Sequence, residues 1–243
     1  MSSYNYFAKV YDRMMDNIPY DEWEQYILQL LYRNHVSPDA CMTEIGCGTG
    51  IMTGLLKDEG FSMTGIDLSE EMLEVAKTKR DDIEYLHMDM REFHLSEKQD
   101  VIISICDSMN YLLTNDDLYR TLKSVRDNLK EGGLLIFDLK TQHFFETELD
   151  GETFKEDLKD FSYVWKNKYD KEKCIHYYQL FFKYRSSEGV KHETEVHRQR
   201  VFFANDIKEA AQKAGFKKSN VYDEFTFDKP RKNSDRIYII MRK

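Results

Sequence analysis

The sequence predicts an α/β fold, a parallel β-sheet with helices on both faces, interrupted late in the chain by an antiparallel insertion. Three observations carry this. Short apolar runs alternate regularly with helix-like segments as far as Lys140, the rhythm of a sheet built by crossovers. The first run, residues 41–45, ends in closely spaced glycines (Gly46, Gly48, Gly50), and the second, residues 61–66, ends in Asp67. Beyond Lys140 the pattern becomes an alternation of polar with apolar and aromatic residues, the mark of half-buried antiparallel strands.

Taken in order, Asp21 with Glu24 three residues on reads as a helix start, and Trp23, Ile27, Leu30 and Leu31 recur on one face until Pro38. After the first strand, residues 49–59 read as helix stopped by Gly60. Ser69 caps a third helix through residue 80, with Met72, Leu73 and Ala76 inward. Strands follow at 83–88 and 101–105. Thr114 caps a long helix with Leu118, Leu122, Val125 and Leu129 inward, ended by Gly132-Gly133, and residues 134–139 form a fifth, buried strand. Residues 161–203, with Tyr163, Trp165, Tyr178, Leu180 and Phe182 and a turn at Ser186-Ser187-Glu188-Gly189, predict three antiparallel strands. Helix returns at 205–214 before Gly215, and two last strands lie at 221–227 and 236–242. The division expected is a core of residues 1–140 and 204–243 with an insertion at 141–203 that caps an acceptor site at the ligand-binding edge of the sheet.

At 243 residues and 41% hydrophobic content the chain can bury a sizeable core as one large domain. Its apolar runs are short and no charged-then-apolar leader opens it, so neither a membrane span nor a signal peptide is expected. Cys41, Cys47, Cys106 and Cys174 are scattered without a C-x-x-C pair, which argues against a disulfide framework or zinc and fits a cytoplasmic location. A formal charge of −9 is a poor footprint for a nucleic-acid partner. From Tyr163 to Arg200, however, nine Lys or Arg stand against five Asp or Glu, which suits either a single anionic group or a mixed solvated strand face. His192 and His197, five apart in a strand, belong on opposite faces, so no metal is expected.

The glycine turn between an apolar strand and a helix, followed by a second strand ending in an acid, implies a cofactor containing a nucleoside: backbone without side chains approaches the ligand and Asp67 takes the ribose hydroxyls. A dinucleotide fingerprint would need glycine where Ile51 stands. Glu44 would repel a pyrophosphate yet suits an ammonium and a sulfonium. Glu44, Asp67, Asp89 and Asp107 all fall at or just past predicted strand ends.

On Glu44-x-Gly46-x-Gly48-x-Gly50 and Asp67 the chain resembles the class I S-adenosylmethionine-dependent methyltransferases, a resemblance that extends over most of the chain and is weakest in the insertion. It implies a Rossmann-like seven-stranded methyltransferase sheet with S-adenosylmethionine as cofactor. By it, Gly46, Cys47 and Gly48 pass the homocysteine portion, Glu44 lies beside the amino group, and Asp67 accepts both ribose hydroxyls. Leu68 and Met72 flank the adenine, Asp89 takes its exocyclic amine and the Met90 backbone its ring, with Cys106 at the same edge as a small space-filler. For Met72 a place in the core explains the residue as well. Tyr4, Tyr6, Tyr11 and Asp12 resemble the N-terminal segment that folds over the cofactor, Tyr11 contacting the sulfonium, although a packing strip reads the same.

The loop from Cys106 to Tyr111 lacks the N/D-P-P-Y/F signature of methyltransferases acting on adenine or glutamine nitrogen. Asp107, Asn110 and Tyr111 either face the methyl group, Asp107 serving as base, or cap the loop. Residues 88–93, 107–112 and 197–202 are loosely similar to bacterial enzymes that methylate the amino group of nucleotide-linked deoxysugars. The expected reaction is methyl transfer to an amine or hydroxyl of a small metabolite by a monomer or homodimer, with no nucleic-acid or membrane partner. Tyr163, Trp165, Tyr178, Arg198 and Arg200 would shape the acceptor pocket. The alternatives are an NAD(P)-dependent oxidoreductase and a non-catalytic cofactor-binding protein.

Overall fold

In the computed structural model, which describes residues 6–243, the helices α1 (Phe7–Met14) and α2 (Tyr20–Arg33) precede β1 (Cys41–Ile45), α3 (Ile51–Asp58), β2 (Ser62–Asp67), α4 (Glu70–Lys79), β3 (Glu84–His87) and β4 (Gln99–Ser104). A 3-10 turn at Ser108–Tyr111 leads to α5 (Asn115–Asn128) and β5 (Leu129–Lys140). After a short turn α6 (Gln142–Phe144) come β6 (Thr153–Asp157), β7 (Phe161–Asp170), β8 (Ile175–Ser186) and β9 (Gly189–Arg200), then α7 (Ala204–Ala214), β10 (Ser219–Asp223) and β11 (Arg236–Arg242).

The larger sheet has seven strands in the order β10-β11-β5-β4-β1-β2-β3. From β3 to β5 the strands are parallel, whereas β11 runs antiparallel to β5 and β10 antiparallel to β11. Continuous apolar strands bury both faces. On one face Leu118 and Leu122 of α5 and Ile207 of α7 cover Ile102, Leu135 and Phe137; on the other, Trp23 and Ile27 of α2 and Leu56 of α3 cover Met42, Ile103 and Ile136. The strand order reverses between β1 and β4, so their carboxyl ends flank the crevice where such sheets take ligands.

The second sheet, β6-β7-β8-β9, is antiparallel throughout. Leu180 and Phe182 on its inner face pack on Phe7, Ala8 and Val10 of α1. It has four strands where three were expected. The extra strand, β6, is exposed at all five residues, so no apolar alternation marks it.

Two boundaries differ for local reasons. Helix α2 starts at Tyr20 behind Pro19, which puts Asp21 and Glu22 inside the first turn, where carboxylates favour the exposed amides, instead of at the cap. Gly132-Gly133 does not stop α5. That helix ends at Asn128, and the pair lies inside β5 where the pairing with β4 shifts register between Gln99 and Val101. A Cβ on Gly133 would sit 2.9 Å from the Lys130 carbonyl oxygen, so the bulge needs glycine there. Among the described residues no helix is long and apolar enough to cross a membrane.

Candidate active site

The glycine turn after β1 is held from below. The amides of Gly46 and Cys47 donate to the Ile66 carbonyl at 2.7 and 3.0 Å, and that of Gly48 donates to Asp67 Oδ2 at 2.8 Å. At Gly46 a Cβ would lie 2.7 Å from Ser108 Cβ, so only glycine lets the loop after β4 close in; Ser108 Oγ donates to the Gly46 carbonyl at 2.9 Å. At Gly48 (φ +54°) a Cβ would meet nothing within 4 Å. The turn therefore faces open space, a cavity of about 980 Å³ between the crevice and the inner face of the second sheet.

Of the sequence-predicted site residues, Tyr11, Glu44, Gly46, Cys47, Gly48, Asp67, Leu68, Met72, Asp89, Met90, Cys106 and Asp107 all line this cavity. Tyr4 lies outside the described residues. Asp67 is pinned by its own turn, its Oδ1 accepting from the Ser69 amide at 2.8 Å, which leaves further lone pairs on both oxygens. Burial pushes its pKa up, opposed by the Ser69 and Gly48 amides. Glu44 is 3% exposed and accepts the Thr53 hydroxyl; burial pushes its pKa up to about 8, with Thr53 opposing and Asp67 adding to the rise. A carboxyl so placed gains most from a cation beside it. Asp89 accepts from Arg91 Nε at 2.9 Å, and Arg91 reaches Asp117 at 3.1 Å. Leu68 is 61% exposed and Met72 3%, so the two differ sharply in access.

Tyr11 comes from α1, its ring edge-on to Phe7 at 5.1 Å. Burial raises its pKa well above the usual phenol range, which keeps it protonated. Helix α1 is tied to both sides of the cavity. Asp12 accepts the Thr49 hydroxyl and pairs with Lys79, both at 2.5 Å, while Glu195 Oε1 of β9 accepts the amides of Tyr6 and Phe7 at 3.2 and 3.0 Å.

Asp107 is spent on a buried charge cluster that the sequence did not reveal. Gln199 Nε2 donates to its Oδ2 at 2.6 Å, Arg236 Nη1 and Nη2 lie 3.2 Å from its Oδ1, and Lys140 Nζ is 3.3 Å from its Oδ2. Its own amide donates to Asp138 Oδ2 at 3.0 Å, and Asp138 also takes Arg236. Burial alone would raise the Asp107 pKa; Lys140, Arg236 and Gln199 outweigh it and hold the carboxyl below the usual range. Cys106 and Asp107 are consecutive left-handed residues (φ +62° and +54°), a conformation disfavoured for both that the cluster holds in place.

The second sheet contributes Trp165, His176, Tyr178, Arg198 and Gln199 to the cavity wall. Tyr178 stacks on His197 at 4.6 Å, and its hydroxyl meets that of Tyr111. Two expected pocket residues, Arg200 and Tyr163, are engaged elsewhere, and Asn110, expected either at the methyl group or as a loop cap, takes the second role. Arg200 donates to the Leu113 carbonyl at 3.0 Å, Tyr163 donates to Glu156 at 2.9 Å, and neither reaches the cavity. Asn110 joins the ends of β5 and β9 through the Lys140 and Arg200 carbonyls. His197 is buried and His192 exposed, on opposite faces of β9.

A family model described as methyltransferase domain matches residues 43–133. Over 99% of the chain and 97% of its own length, the protein "Putative methyltransferase YqeM" of Bacillus subtilis (strain 168) is 33% identical. The chain belongs to the S-adenosylmethionine-dependent methyltransferase family. A crystal structure of an S-adenosylmethionine-dependent methyltransferase from Clostridium acetobutylicum superposes on this methyltransferase with a TM-score of 0.84, at 27% identity and 98% coverage of each chain. A Streptomyces venezuelae dTDP-3-amino-3,4,6-trideoxy-alpha-D-glucopyranose N,N-dimethyltransferase is 30% identical over half of each chain. These relatives are methyltransferases, which sets the oxidoreductase alternative aside. The residues of the site suit the cofactor: room beside Gly48, a buried carboxyl at Glu44 that favours an ammonium, and free lone pairs on Asp67 for a diol.

Proposed function

We propose that this methyltransferase transfers a methyl group to an amine or hydroxyl of a small metabolite. The observation that supports the reading best is that one cavity of about 980 Å³ is lined both by the glycine turn and by the inner face of the second sheet, so cofactor and acceptor share an enclosure. S-adenosylmethionine, when bound, supplies a methyl group on a sulfonium that a lone pair can displace. Residues 1–140 and 204–243 hold it and residues 141–203 cap the acceptor. Asp67 binds the ribose hydroxyls, Glu44 the ammonium, Asp89 and the Met90 amide the adenine edge, with Leu68 and Met72 against its faces. Gly46, Cys47, Gly48 and Cys106 give the backbone its close approach.

The chain's own work is positioning and exclusion of water, which can supply much of the acceleration. Tyr11, kept protonated, closes the site with its ring. Asp107 is better suited to hold the loop as a permanent anion than to accept a proton, because its oxygens are taken and its pKa is held low. The names of relatives favour no single acceptor atom, since they include the sugar N,N-dimethyltransferase above and a malonyl-[acyl-carrier protein] O-methyltransferase of Priestia megaterium. Four free cysteines fit a cytoplasmic enzyme, acting as a monomer or homodimer without nucleic acid or membrane.

The test is incubation with methyl-labelled S-adenosylmethionine and a small-molecule extract, alongside calorimetric titration with S-adenosylhomocysteine. Label in the small-molecule fraction is expected. Label confined to protein or nucleic acid would overturn the acceptor class, and absence of S-adenosylhomocysteine binding would overturn the site.

A further inference from the structure

The cavity extends past the glycine turn to a cap-side end that the cofactor assignments leave unused, and His176 stands there. It lies in β8 at the register position facing Tyr169 of β7 and Gln199 of β9, is 1% exposed, and lines the cavity. Neither of its ring nitrogens has a hydrogen-bond partner among the described residues. A buried polar group is normally satisfied, so an orphaned imidazole on a cavity wall is a group waiting for a ligand. One ring face is stacked on Phe145 at 4.8 Å, and the two nitrogens, both buried, are the atoms of this side chain left without a partner.

The charges nearby decide what kind of ligand. Of the cations here, Lys140 is paired with Asp107 at 3.3 Å and lies over the Phe144 ring at 5.2 Å, Arg236 is shared by Asp107, Asp138 and Glu224, and Arg198 is exposed, on the face of β9 opposite to Gln199, the residue that faces His176. Both cations of the cluster are thus engaged by carboxylates, which leaves neither free for an anionic acceptor, and Lys140 acts on His176 more strongly than Asp107 or Asp150 does, which disfavours an ammonium beside the ring. Burial, followed by the nearby Lys140 charge, pushes the His176 pKa down to about 4, so the ring is neutral and presents one N–H donor and one acceptor nitrogen. Trp165 and Tyr178 add apolar walls, with the Trp165 indole N–H already given to Asn167 at 3.0 Å. A neutral donor-acceptor edge between aromatic walls matches a ring or chain bearing hydroxyls, each able to donate and accept.

We propose that the cap-side end of the cavity, built around His176, is a subsite for an uncharged, hydroxyl-bearing part of the methyl acceptor. The inference rests on the reading that this cavity takes a small-molecule acceptor. It adds that the acceptor is a polyol-like molecule at this end, whichever atom is methylated. His176 acts here as a binding and specificity residue and takes no proton.

The experiment uses the full chain saturated with S-adenosylhomocysteine and three probes on one ring: cis-cyclohexane-1,2-diol, cyclohexylammonium and cyclohexanecarboxylate. Binding is measured by ligand-observed NMR, and the His176 ring nitrogens are followed by long-range 15N correlation. The diol should bind at least tenfold tighter than either charged probe and shift the His176 nitrogens. His176→Phe, which keeps the stacking on Phe145, should weaken the diol at least tenfold, His176→Asn should keep most of the affinity, and S-adenosylhomocysteine affinity should stay within twofold throughout. Tighter binding of the carboxylate or the ammonium, no diol binding to the loaded protein, or an unmoved His176 signal each overturns the proposal, and none of these three readings needs a variant to fold. Failure to bind S-adenosylhomocysteine at all would instead remove the cofactor reading beneath it.

Discussion

Replacing Glu44 with Gln separates stability from binding at one atom pair. The substitution keeps the side chain's shape and an oxygen for the Thr53 hydroxyl while removing the ionisable group. In the folded protein without ligand, burial raises the Glu44 pKa from 4.5 to about 8. Between those values the folded protein retains a proton that the unfolded chain has released, so stability falls as pH rises, by about 1.4 kcal/mol for each pH unit. The penalty is absent below pH 4.5 and fully developed above about pH 8, where it amounts to roughly 5 kcal/mol. Glu44→Gln carries no such penalty. Urea unfolding without ligand, from pH 5 to 8.5, should therefore show the variant as stable as wild type near pH 5 and more stable by about 2–4 kcal/mol at pH 8. Saturating S-adenosylhomocysteine should narrow or reverse the order. The ligand's ammonium favours the ionised carboxylate, and its loss should cost about 1.5–3 kcal/mol of affinity, the scale of a hydrogen bond to a charged group. Wild type should also release close to one proton on binding at pH 7, seen as a dependence of calorimetric heat on buffer ionisation enthalpy. Parallel pH profiles for the two proteins would refute the desolvation argument, and equal ligand affinity would refute the placement of the ammonium.

Asp67→Ala should weaken S-adenosylhomocysteine by about 1.5–3 kcal/mol in calorimetry. It should also lower the unfolding midpoint modestly, because Asp67 bonds the Gly48 and Ser69 amides, and unchanged affinity in a folded variant would remove the ribose role. Gly48→Ala places a methyl where nothing lies within 4 Å but at φ +54°, so thermal melts should show a loss of about 1 kcal/mol while cofactor binding falls tenfold or more. Arg236→Met strands Asp107 and Asp138 and should destabilise by about 3–5 kcal/mol in urea unfolding, with Asp138→Asn added to it restoring part of the loss. Arg200→Ala should leave S-adenosylhomocysteine affinity within twofold, since its guanidinium serves the Leu113 carbonyl and does not line the cavity.

What the sequence disclosed was local. The glycine turn, the acids at strand ends and the helix faces each declare themselves within a few residues, because a turn without side chains or a 3.6-residue repeat needs no distant partner. Features made by chain crossing were illegible. Arg236 meets Asp138 across 98 positions and Asp107 across 129, and nothing near Arg236 distinguishes it from a solvated strand residue. His176 occupies an ordinary alternating position whose meaning appears only when β8 faces the cavity. The aromatic alternation of β7 and β8 located the second sheet correctly, yet the same rule made Arg200 look like a pocket residue. Its side chain turns instead to the Leu113 carbonyl and the Phe202 ring.

Helix α1 is fastened to the second sheet at both ends, its start through Glu195 and its last turn through Arg13, which pairs with Asp160 beside β7 at 2.6 Å, and Asp12 fastens it to Thr49 of the glycine turn and Lys79 of α4. It works as a tie rod between the two walls of the enclosure. A load on either wall reaches the other through eight residues. Whatever free energy the occupied glycine turn contributes to ordering the cap must then reappear, by thermodynamic reciprocity, as tighter cofactor binding once an acceptor sits against the cap. The two ligands of this enzyme are expected to report on each other even where they do not touch.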